Sequence, residues 1–268
     1  MKGMNEMNRF ENIFSKGKKV AVGYATAGCP ETESSLEFMR GMIEGGTDIL
    51  ELGVPFSDPT ADGPVIQQSS QTALRNGFTI EKVFEIASTL RAENPDLGIV
   101  LFSYYNPILF LGLENFAERA EKAGVDGVLV VDVPFEERSE IEPVLKKHGL
   151  EIIPLVSPAT GIERIRKITE GCRSFVYYIT VRGVTGTRSQ MPEDLLQKLT
   201  QLRSASPAPV AAGFGISSPE TARAAAEGAD GIVIGSAFVK IQLDTALSTA
   251  EKREKARALA ERCFGAVR

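Results

Sequence analysis

The sequence predicts an α/β protein: a single closed (β/α)8 barrel with one extra helix at its N-terminus, residues 1–268 forming one domain. Three observations predict it. Eight short apolar, β-rich runs recur at intervals of roughly 20 to 35 residues, and stretches with helical spacing lie between them. The runs are continuous rather than alternating, as strands covered on both faces of a parallel sheet must be. No antiparallel hairpin signal and no linker interrupts the repeat, so closure into a barrel is the economical architecture. The chain has 268 residues, 43 % hydrophobic and 24 % charged, a size that one α/β barrel commonly reaches and that buries a core without covalent staples.

The first element is a short amphipathic helix carrying Phe10, Ile13 and Phe14, predicted to cap the barrel bottom. The strand runs are KKVAVGYATAG (18–28), TDILELGV (47–54), LGIVLFSYY (97–105) and GVDGVLVVDVP (124–134). They continue as LEIIPLVSP (150–158), SFVYYITV (174–181), APVAAGFG (208–215) and ADGIVIGSA (229–237). Between them, SLEFMRGMIEGG places Leu36, Met39 and Ile43 on one helical face and ends in a Gly pair. EKVFEIASTLRAENP, LENFAERAEKAG, ERSEIEPVLKKHG, GIERIRKITEG, EDLLQKLTQLRSAS and SPETARAAAEGA follow the same rule. Several open with Ser, Thr, Asp or Glu and close with Lys or Arg before Gly, which suits helix termini. Residues 243–268 read as a final helix. An open doubly wound sheet is the competing architecture. A GxGxxG after the first strand would favour it, and AGCPETE is not that.

Composition removes several function classes. A net charge of −5 gives no general attraction to nucleic acid or to an anionic membrane. Cys29, Cys172 and Cys263 are far apart, with no CxxC spacing, and read as reduced thiols. No run of 18 apolar residues occurs, and MKGMNEMNRFENIF lacks a signal-like apolar segment. The expected location is the cytoplasm.

Active sites of such barrels form where strands end and the following loops begin. In order, those positions are Tyr24, Thr26, Gly28 and Cys29; Glu51, Asp58 and Asp62; Phe102, Tyr104, Tyr105 and Asn106; Asp132; Ser157. Then come Tyr177, Thr180, Arg182, Thr185 and Gly186; Gly213, Phe214 and Gly215; Gly235 and Ser236. TGTR, GFGIS and GSAFVK close the last three strands. Glycines let backbone N–H groups approach an anion, and a helix start adds a favourable dipole. Tight βα turns alone would explain one such cluster; three on consecutive strands favour a phosphate site.

The same positions lack a metal or Schiff-base apparatus. The only histidine, His148, falls at a helix end away from the mouth, and no strand ends in lysine. Carboxylates and tyrosines remain for proton transfer. Glu51 interrupts the apolar run DILELGV. Pointing into a low-dielectric barrel, its pKa would rise towards neutrality, as a general acid/base needs; an ion pair with a neighbouring strand is the alternative. Asp62 lies in a loop stiffened by Pro55, Pro59 and Pro64. It is either a second working carboxylate or a turn residue of TADG. Asp58 reads as a turn or contact residue.

ELGVPFSDPTADGPVIQ, followed in order by VLVVDVP, RGVTGTR, GFGISSPE and GSAFVK, resembles the tryptophan synthase α chain family over almost the whole sequence. The resemblance implies one (β/α)8 barrel that cleaves indole-3-glycerol phosphate to indole and glyceraldehyde 3-phosphate. It implies no cofactor, no metal, and a pyridoxal-phosphate β chain as partner in an α2β2 heterotetramer. It makes Glu51 the acid/base and Asp62 the residue that holds the indole N–H. Tyr177 positions substrate; Tyr24, Phe102, Leu129 and Phe214 are apolar neighbours of the ring. Gly186, Gly215, Gly235 and Ser236 form the phosphate site, and Thr185 is a lid residue reaching towards the aspartate. Two positions depart from familiar members: Tyr24 where many have phenylalanine, and Cys29 where some have aspartate.

The reaction itself explains why no cofactor is needed. Protonating C3 of the ring makes an indolenine, which accepts the electrons of the breaking C–C bond. Indole-glycerol-phosphate synthase or a phosphoribosyl isomerase are rival phosphate-binding barrels; the synthase would bring a catalytic lysine on a strand. A subunit that chiefly binds and activates a partner is a rival of another class.

Overall fold

Residues 7–179, 193–213 and 215–268 are described by a computed structural model. Their strands are β1 (Val20–Thr26), β2 (Ile49–Gly53), β3 (Gly98–Ser103), β4 (Gly127–Val130) and β5 (Glu151–Ile152). Then come β6 (Leu155–Val156), β7 (Val176–Ile179), β8 (Val210–Gly213) and β9 (Gly231–Ile234). The helices are α1 (Arg9–Phe14), α2 (Thr32–Glu44), α3 (Pro64–Arg75), α4 (Ile80–Glu93), α5 (Tyr105–Leu111) and α6 (Leu113–Lys122). The second half carries α7 (Glu142–Lys147), α8 (Ile162–Thr169), α9 (Glu193–Ala205), α10 (Pro219–Gly228), α11 (Ser236–Leu243) and α12 (Thr249–Phe264).

All strand pairs are parallel, in the order β5-β4-β3-β2-β1-β9-β8-β7-β6. The eight expected runs become nine strands because LEIIPLVSP is cut at Pro154, which has no N–H for a ladder. On one side of the cut, Ile153 N–H donates to the Val128 carbonyl (3.0 Å). On the other, Tyr177 N–H donates to the Pro154 carbonyl (2.9 Å). The first half thus pairs with β4 and the second with β7, and the sheet closes on itself as a TIM barrel.

Inside, Val22, Ile49, Val100, Leu129, Phe175, Ala211 and Val233 pack across the ring. Outside, the strands' other faces meet the helices in a separate apolar layer. The N-terminal helix is where the sequence puts it. Asn8 and Glu11 form a capping box at its start, and Phe10 and Ile13 are buried. They enter the barrel's lower end, where Phe10 meets Phe175 edge-on at 5.7 Å. A Cβ on Gly98 would come 3.1 Å from Ile13, and one on Gly127 3.1 Å from Phe10.

Three sequence expectations change. Helix α2 buries Phe38, Met39 and Met42, while Leu36 and Ile43 are only half-buried. It is sandwiched between sheet and α12, with Gly41 against the Arg253 carbonyl, so its buried arc is shifted and broad. The expected final helix at 243–268 is α12 alone, started by a Ser248–Glu251 capping box. Finally, α3 and α5 lie in stretches to which the sequence assigned no helix, each with proline near its start.

Candidate active site

Strand β2 turns Glu51 into the barrel, in register between Tyr24 of β1 and Val100 of β3. The carboxyl is fully buried, and neither oxygen has a hydrogen-bond partner among the described residues. The ion-pair alternative therefore has no support here. Burial alone pushes its pKa up to about 8, because a charged carboxylate loses its hydration in the interior.

Asp62 is held in the loop that follows. Its N–H donates to the Pro59 carbonyl (3.1 Å), and its carbonyl accepts from the Gln67 side chain of α3 (2.9 Å). Only 7 % of the residue is exposed. Burial raises its pKa to about 6, opposed by a hydrogen bond from the Tyr104 hydroxyl. Asp58 takes part in the turn: its carbonyl accepts Thr60 N–H (2.9 Å), and its carboxylate accepts the Ser57 hydroxyl.

Aromatic and apolar side chains stand on the strands beside Glu51. Tyr24 meets Phe102 edge-on at 5.2 Å, and Phe102 stands in register with fully buried Leu129. The Tyr24 hydroxyl occupies the space over Gly53, where a Cβ would lie 2.1 Å from it. Tyr177 of β7 stands similarly over Gly213, its hydroxyl 2.8 Å from where a Cβ would be. Burial, then the nearby acidic groups, raise both phenols above the ordinary tyrosine range, so both stay protonated. Cys29 is buried with its thiol pushed up to about 12, which makes it an inert packing residue.

At the far side of the mouth, Gly215 takes φ +62° with open space around its Cα. Gly235 precedes α11, whose first residue, Ser236, is exposed. Among the described residues no side chain caps that helix start, which leaves the positive end of the helix dipole at Ser236. Thr185, Gly186 and Phe214 lie outside the described residues. His148 caps the C-terminus of α7 and pairs with Glu121 (2.7 Å) and Glu114 (3.2 Å), away from the mouth.

Two features received no role from the sequence. Tyr104 reaches across to the Asp62 loop, and nothing in YYNP distinguishes it from Tyr105. Leu109 and Phe110, 49 % and 83 % exposed, form an apolar surface on α5, a helix that the sequence did not assign.

Comparison with known proteins decides the family. A model described as tryptophan synthase alpha chain matches residues 10–266. The chain belongs to the tryptophan synthase α chain family. The tryptophan synthase α chain of Chromobacterium violaceum is 42% identical over 257 residues, 95% of this chain and 98% of that one. The Geobacter sulfurreducens protein is 45% identical over 232 residues, covering 87% of this chain and 88% of that one. The crystal structure of tryptophan synthase subunit alpha from Legionella pneumophila matches with a TM-score of 0.90 at 33% identity, covering 98% and 99% of the two chains. A chain from the tryptophan synthase α2β2 complex of Pyrococcus furiosus matches at 0.85 and 36% identity, covering 92% and 98%. Tryptophan synthase α chains are lyase subunits that cleave indole-3-glycerol phosphate in tryptophan biosynthesis.

Proposed function

We propose that Glu51 is the proton carrier of this lyase and Asp62 the group that stabilises the charged ring. The supporting observation is the Glu51 carboxyl: buried, without a partner among the described residues, and raised to about 8, so that it both gives and takes a proton near neutrality. The proton goes to indole C3, and the ring becomes an indolenine cation. The hydroxyl on the carbon attached to C3 gives its proton to the Glu51 carboxylate, which restores the acid, and that carbon becomes the aldehyde of glyceraldehyde 3-phosphate. The C–C bond breaks, and its electron pair returns to the ring to give indole. Asp62, an anion above about pH 6, accepts the ring N–H and offsets the positive charge. Tyr24, Phe102, Leu129 and Tyr177 enclose the ring, and the family resemblance alone adds Phe214 to them. Gly215, Gly235 and Ser236 receive the phosphate at the α11 start; Gly186 as a further phosphate residue and Thr185 as the lid residue are assigned by the family resemblance alone.

Indole release from indole-3-glycerol phosphate, measured with and without a β chain, tests this reading; no indole in either case would overturn it. Every step is carried by side chains and the substrate ring. Turnover by the isolated chain is therefore expected to be unchanged by EDTA and by borohydride, and inhibition by either would overturn the cofactor-free route.

We also propose an α2β2 assembly with a β chain, and residues 1–268 as one barrel domain. The chain from the P. furiosus complex supports the assembly, as does the bare surface of Leu109 and Phe110 on the mouth side of β3. Phe110→Asp is expected to weaken α–β association by about tenfold or more, read by titration calorimetry. Its effect on the melting temperature should be small, because the ring is exposed; unchanged affinity would move the interface elsewhere. Among the described residues no helix is long and apolar enough to cross a membrane, and the three cysteines are free. Both support a cytoplasmic location.

A further inference from the structure

Asp62 stands on a loop, and a loop carboxylate must be aimed by something outside its own backbone. The Tyr104 side chain is in position to do so. It leaves the end of β3, is 3 % exposed, and stacks at a tilt on Phe56, the ring centroids 5.2 Å apart. Its backbone is fixed on both sides. The Ser103 hydroxyl donates to the Tyr104 carbonyl (2.9 Å), and Asp132 accepts the N–H of Tyr105 (2.8 Å). At the ring's far end, Ala61 N–H donates to the Tyr104 hydroxyl oxygen (2.9 Å). A phenol has a single proton. With an N–H already pointing at its oxygen, that proton is directed to the Asp62 carboxyl.

We infer that Tyr104 is a positioning residue for the reaction: its hydroxyl, oriented by Ala61 N–H and anchored on β3, fixes Asp62 at the ring nitrogen. This rests on the proposed role of Asp62. The bond also affects charge. Burial raises the Asp62 pKa towards neutrality, and the Tyr104 bond pulls it down, keeping the carboxyl ionised at pH 7. Without the hydroxyl, Asp62 would stand less firmly and would be protonated over a larger part of the working pH range.

Tyr104→Phe keeps the ring against Phe56 and removes only the hydroxyl. At pH 7 we expect kcat/KM to fall about tenfold or more, the loss of a hydrogen bond to a charged group. The acidic limb of its pH profile should move to higher pH, and the deficit should shrink as pH rises. In the Asp62→Asn background, where that limb is missing, Tyr104→Phe should cost almost nothing further. Melting curves of all variants accompany the rates. A wild-type rate in Tyr104→Phe, an unshifted limb, or the same fold-loss in both backgrounds would overturn the positioning role. If Asp62→Asn itself runs at the wild-type rate, the reading of Asp62 fails instead, and the positioning role falls with it.

Discussion

Glu51→Gln is expected to lower indole formation by roughly a thousandfold, the middle of the range for loss of a positioned acid/base, while fold and phosphate binding persist. Gln matches Glu in size but neither yields nor takes a proton in this range, so only the chemistry is removed. Turnover within about tenfold of wild type would show that another group carries the proton. The same variant tests the buried state of Glu51. In the native protein the carboxyl keeps its proton up to about pH 8, whereas the unfolded chain releases it near 4.5. The unfolded state therefore binds fewer protons between these values, and native stability falls as pH rises through that window. Relative to Glu51→Gln, the wild type should lose a few kcal/mol between pH 5 and pH 8, on the order of 5–10 °C in Tm, and then level off. Melting curves that keep a constant separation would mean that Glu51 is not buried as a neutral acid.

Asp62→Asn is the second large effect, roughly a hundredfold or more. The amide oxygen still accepts the ring N–H, but the negative charge opposite the developing cation is lost. That charge matters only once C3 is protonated, so kcat should fall much more than KM rises. The limb expected near pH 6 from the raised Asp62 pKa should disappear with it. A KM effect alone would make Asp62 a substrate-binding group without a part in the chemistry.

The barrel was legible because its strands are buried on both sides, which leaves unbroken apolar runs such as VAVGYAT and GIVI. Glu51 was legible for the same reason: a carboxyl inside ILELG breaks a pattern that burial otherwise enforces. Helix α3 was not, since Pro64 reads as loop material until it is seen to occupy the first helical turn. The buried arc of α2 depends on α12, some two hundred residues later, and no local periodicity carries that information. Tyr104 shows the limit most directly. Its place at a strand end could be read, but its partners, Ala61 and Asp62, lie about forty residues away on another loop.

The N-terminal helix also determines the traffic of molecules. With Phe10 and Ile13 seated in the barrel's lower end, the interior is a vessel with one opening. Substrate enters and both products leave through the same doorway. A partner seated over Leu109 and Phe110 stands at that threshold, so an indole leaving the pocket meets the neighbouring subunit before it meets bulk water.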